Sequence, residues 1–100
     1  MTQVHLLEAE NFSFQGNHEE AKASYAAAIT SARCSRFINE QGLACELAAH
    51  HYKKIGDHMS SWSFFNQAKQ CYIEWGSQMK VDSVTRQLEL FHAPSAGGLM

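Results

Sequence analysis

A chain of 100 residues has room for one domain with a modest core, and a hydrophobic content of 45% excludes a wholly disordered polymer. The formal net charge of -2 gives no general attraction to nucleic acid or to an anionic membrane, and the longest apolar run, Tyr25 to Ile29, is far too short to span a bilayer. No basic segment leads into an apolar block at the start, so the three cysteines, Cys34, Cys45 and Cys71, read as reduced thiols in a cytoplasmic protein.

The pattern predicts a first helix over Val4–Gln15, with Leu6, Ala9 and Phe12 near one face. Gly16 ends it by taking the left-handed conformation. Asn17, with Glu20 three residues later, reads as the N-cap of a second helix. That helix carries Ala21, Tyr25, Ala28 and Ala32 on one stripe, and their small size lets a neighbour approach closely. A third helix from Arg36 to Ile55 places Ile38, Gly42, Cys45, Ala49 and Tyr52 on one face. Gly42 costs about 1 kcal/mol against alanine in a helix interior, which close packing would explain. Gly56 stops this helix and Asp57 caps the fourth. The fourth carries Ser61, Phe65, Ala68, Tyr72 and Trp75 on its stripe, with Trp62 beside them, and ends at Gly76. A fifth helix over 78–91 presents Val81, Val84, Leu88 and Phe91. Residues 92–100 hold the only proline, Pro94, show no periodicity and read as a disordered tail.

The expected fold class is all-α. One domain over 1–91 holds a first unit (4–34), a second unit (36–76) and a capping helix (78–91). Short turns make each helix pair antiparallel, and repeated pairs stack into a right-handed α-solenoid. The repeat is visible as one constant offset between matching positions. Ala9 matches Ala49, Phe12 matches Tyr52, Gly16 matches Gly56, His18 matches His58, Tyr25 matches Phe65 and Ala28 matches Ala68.

The pattern small-x-x-aromatic-x-x-x-Gly-Asx, followed by alanine, aromatic and alanine, resembles the tetratricopeptide repeat. Ala9, Phe12, Gly16, Ala21, Tyr25 and Ala28 match its packing positions in the first unit, and Ala49, Tyr52, Gly56, Phe65 and Ala68 in the second. Ser61 stands where the repeat has alanine, Arg33 stands where it has proline, and the period here is longer than the family's own. Leu6 to Phe91, and most specifically Tyr72-x-x-Trp75-Gly76-x-x-x-Lys80-Val81, is similar to the helical region between the ATPase module and the GAF domain of large multidomain sensor (serine/threonine–histidine) kinases. That resemblance implies a fragment or relative of a signalling kinase. None of the family's catalytic residues fall in this region.

No catalytic, cofactor or metal constellation stands out. His50 and His51 are adjacent and diverge by about 100° on a helix. Glu46 and His50 sit at i, i+4, where a surface pair is the ordinary reading. Cys45 lies on the predicted core stripe. Trp62, Phe65, Tyr72 and Trp75 read as core aromatics. The expectation is a non-enzymatic scaffold for protein contact: a peptide, a neighbouring domain, or a second copy docking through helix 1, where Val4, Leu6, Leu7 and Phe14 spread over more than one face. In tetratricopeptide repeats the first helix of each pair lines the partner-binding face, here Gln3, Leu6, Glu10 and Ser13, then Leu43, Glu46, His50 and Lys53. The rival is an ordinary solvated face, or a ligand- or metal-binding bundle using Glu46, His50 and Cys45. No nucleic acid or membrane partner is expected.

Overall fold

A computed structural model describes the backbone of residues 2–98 and the side chains of residues 4–90. Every described element is a helix: α1 (Thr2–Gln15), α2 (His18–Ser35), α3 (Ile38–Lys54), α4 (His58–Trp75) and α5 (Gln78–Gly98).

Four turns set the layout, and all four have the same construction. One residue in each takes a left-handed conformation: Gly16 (φ 84°), Arg36 (φ 63°), Gly56 (φ 87°) and Gly76 (φ 90°). The next residue's N–H then donates to a carbonyl near the end of the preceding helix. Asn17 reaches Phe12 at 2.8 Å, Phe37 reaches Ala32 at 3.2 Å, Asp57 reaches Tyr52 at 2.9 Å and Ser77 reaches Tyr72 at 3.1 Å. This is the Schellman closure, which satisfies carbonyls orphaned at a helix end. It recurs at an even interval from Gly16 through Arg36 and Gly56 to Gly76, so the offset that relates Gly16 to Gly56 in the sequence is two such steps.

Several expectations need correction. Arg36 does not begin α3; it is the left-handed residue that ends α2, and α3 begins at Ile38. Asn17 does not cap α2 with its side chain. Its amide donates instead to Gln15 Oε1 at 3.2 Å. Asp57 does cap α4, accepting from the Ser60 N–H at 3.2 Å. Its charge suits the positive helix N-terminus better than a neutral amide does. α5 runs on past Phe91 to Gly98, through most of the segment read as a tail. Backbone hydrogen bonding needs no apolar stripe, so periodicity alone could not place that end. Leu99 and Met100 lie outside the described residues.

Each helix packs on its sequence neighbours, and α1 also touches α3, within an envelope of 46 × 34 × 16 Å. The core is built from Ala9, Ala21, Tyr25, Ala28, Ala44, Cys45, Ala48, Ala49, Phe65, Ala68, Tyr72 and Val84, with Phe12 and Tyr52 half-buried against it. Alanine therefore dominates the contact surfaces, and the helices approach closely. Ser61, in place of alanine, is fully buried, and its hydroxyl donates to the Ala49 carbonyl at 2.7 Å. Trp62 and Trp75 are not core residues; they are 46% and 48% exposed. Trp62 sits a helical step aside from the buried Ser61 stripe. Trp75 falls on the last turn of α4, beside the exposed Gly76.

Candidate functional site

α1 and α3 lie side by side and leave a groove between them. Its polar part is a hollow of about 310 Å³ bordered by Glu10 and Ser13 from α1, Tyr25 from α2, and Leu47, His50, His51 and Lys54 from α3. A second hollow of about 350 Å³ adjoins it, bordered by Leu6, Leu7, Glu10 and Leu47. Glu10 and Leu47 belong to both, so the two form one trough.

Two contacts, one buried and one part-buried, hold the trough in shape. Ser13 Oγ lies 2.9 Å from His51 Nδ1, joining α1 to α3. The Tyr25 hydroxyl donates to Glu10 Oε2, joining α2 to α1. Burial, then the carboxylate of Glu10, pushes the Tyr25 pKa far above the ordinary tyrosine value, so the hydroxyl keeps its proton. His51 is only 3% exposed and has its pKa lowered, first by burial and then by His18, Lys54 and Lys22. It is therefore neutral at neutral pH. Its Nε2 is buried without a partner among the described residues. A bare lone pair there costs less than an unsatisfied N–H, which favours the tautomer in which Nδ1–H donates to Ser13.

Ser13 and His51 are not built as a nucleophile and base. Both are buried, and no carboxylate among the described residues orients the second ring nitrogen.

In the second unit His50 stands at the place of Glu10, and Phe65 at the place of Tyr25. Without a hydroxyl the second pair meets differently: the His50 ring packs edge-on to Phe65, with centroids 5.0 Å apart. The first unit thus presents a fixed carboxylate where the second presents an imidazole.

The face predicted from the sequence is only partly assembled. Glu10 and His50 border the trough. Leu6 and Ser13 do too, but both are buried rather than open, because Leu6, Ala9 and Ser13 form the inward stripe of α1. Gln3 lies outside the described side chains. Leu43 is exposed but does not border either hollow. Glu46 accepts from the Tyr72 hydroxyl at 2.7 Å and lies 3.6 Å from the Lys80 ammonium, and Lys53 donates to Gln87 at 3.4 Å. Glu46 and Lys53 thus tie α3 to α5 instead. The sequence reading missed His51, Leu47 and Lys54. Ala44, Ala48 and His51 form a second buried stripe on α3, so burial on two sides was the signal.

Glu46 and His50 lie 4.0 Å apart, but Cys45 does not converge with them. It is fully buried, and burial pushes its thiol up to about 12, with Cys71 close enough to add to the shift. Among the described residues no group of three His, Cys, Asp or Glu side chains is arranged to hold a metal ion. No helix among them is long and apolar enough to cross a membrane. No family model matches the chain, and neither a curated protein nor a solved structure matches it.

Proposed function

We propose that the chain is a non-catalytic helical-repeat module that docks a partner protein segment in the trough between α1 and α3. The carrying observation is the trough itself: an open groove in which Glu10 is held by Tyr25, and Ser13 and His51 hold each other. Groups fixed before binding lose little entropy when a partner arrives.

A solenoid of the tetratricopeptide kind accounts for the contact pattern. Ala49 meets Ser61 and Glu46 meets Tyr72, so position falls along α3 as it rises along α4, as in an antiparallel pair. Glu46 meets Lys80 and Lys53 meets Gln87, the two pairs having the same separation along the chain. Such constant spacing fits α3 and α5 running in the same direction on one face. The similarity around Tyr72 to Val81 supports placing the module in a signalling assembly, and the three free thiols support a cytoplasmic setting.

Selection of a random peptide display library on the full chain tests this reading. Binders should be lost with Leu47→Arg, which fills the floor shared by both hollows, once circular dichroism shows that the variant is folded. A selection that yields no binder sensitive to Leu47→Arg refutes the trough as a docking site.

A further inference from the structure

We propose that the trough selects an extended peptide whose alternate residues are large apolar, basic and acidic, in that order. This rests on the trough being the docking site. Three features set the order. The hollow between Leu6, Leu7 and Leu47 is apolar and takes the first side chain. Glu10 comes next along α1. One of its oxygens accepts from Tyr25, and the other has no partner among the described residues. Its position is thereby fixed while half its acceptor capacity stays open to a cation. Lys54 follows on the opposite wall and makes no ion pair among the described residues. Glu10 and Lys54 border one hollow without neutralising each other, so the groove presents both charges to an occupant.

The spacing fits a strand. Leu6 to Glu10 is one helical turn, about 6 Å, and Leu47 to Lys54 is two turns, about 10 Å. Side chains on one face of an extended peptide recur about every 6.6 Å. Residue i then fills the apolar hollow and i+2 reaches Glu10; i+4 lies about 13 Å from i against about 10 Å from Leu47 to Lys54, a difference of about 3 Å that the long, flexible lysine side chain spans. The reversed charge order sets acid against Glu10 and base against Lys54, which repel.

The test uses two fluorescent, end-blocked peptides of identical composition, one apolar–basic–acidic at alternate positions and one apolar–acidic–basic. Anisotropy with the full chain at low salt should favour the first by about tenfold, as expected when two partly exposed pairs change sign. The preference should shrink as salt rises. Glu10→Gln keeps an acceptor for Tyr25 and should cut the preference several-fold; Lys54→Gln should do the same from the other wall. Equal binding of both peptides, still abolished by Leu47→Arg, overturns the charge order and leaves the docking site standing. Binding of neither peptide overturns the charge order as well, and the display selection then decides the fate of the docking site separately.

Discussion

Gly42 faces the ring of Tyr72 across the α3–α4 contact, so closely that a β-carbon on Gly42 would lie 2.7 Å from Tyr72 Cε1 and 3.2 Å from Cys71 Cβ. Tyr72 is buried and its hydroxyl is held by Glu46, so the ring has nowhere to swing. Glycine is accepted in a helix interior here because nothing larger fits.

Gly42→Ala should therefore destabilise. Alanine gains about 1 kcal/mol of helix propensity, but overpacking a rigid site costs about 1–3 kcal/mol or more. Urea unfolding should show a lower midpoint for the variant. An unchanged or higher midpoint would mean that Tyr72 yields.

Arg36 holds a left-handed conformation that glycine holds at the other three turns. An L-residue there costs about 1–2 kcal/mol. Arg36→Gly should raise the urea midpoint by an amount equivalent to about 1 kcal/mol, and Gly56→Ala should lower it by a similar amount. Opposite signs in the two variants are the signature to look for.

His51 links stability to pH. Its folded pKa lies below the ordinary 6.5, first because it is buried and then because His18 and Lys22 from α2 and Lys54 from α3 oppose a further positive charge, against the single favourable charge of Glu10. The unfolded chain then binds the proton more readily than the folded one. The contribution to stability is complete above about pH 6.5 and is lost as pH falls toward the lowered value. Midpoints measured between about pH 7.5 and 5 should fall for the wild type, and less steeply for His51→Gln. Parallel slopes would show that the other histidines carry the dependence.

Leu7 and Phe14 are 73% and 88% exposed on α1, with Val4 nearby. An apolar strip of this kind favours contact with another surface. Sedimentation at rising concentration should show self-association, weakened by Leu7→Glu and by Phe14→Glu. A strictly monomeric wild type indifferent to both would exclude a second copy as the occupant of this edge.

Ala28 and Ala49 are fully buried where helices meet. Ala28→Trp and Ala49→Trp should each cost about 1–3 kcal/mol or more, a large share of what a small domain has. Melting temperatures measured by circular dichroism should drop for both.

Much of this fold was legible because three turns carry glycine. Gly16, Gly56 and Gly76 announce the left-handed residue, and the alanine stripes announce close packing. The fourth turn was hidden, since Arg36 has no such mark and takes its left-handed conformation without glycine's freedom. The face of α1 was read from Leu6, Ala9 and Phe12, a spacing that drifts; Leu6, Ala9 and Ser13 follow the helix better, and so Ser13 turned inward. The trough was half legible. Glu10 and His50 followed from the repeat, but of His51 the sequence showed only that it diverges from His50 by about 100° on the helix. Only the arrival of α1 and α2 on its side of α3 buries it, and a single sequence does not show which helix arrives where.

The even cadence of the turns constrains how a chain of this type can change length. α1 touches α3, and α3 is tied to α5; in the solenoid proposed above, the odd-numbered helices share one side. Gain or loss of a single helix–turn step would exchange odd for even downstream, handing the trough-forming role to helices whose side chains suit the other layer. Gain or loss of two steps keeps every later helix on its own side. In that proposed arrangement, duplication by whole helix pairs is the growth mode that preserves the trough-lining face, and the pairing of Gly16 with Gly56 matches that step.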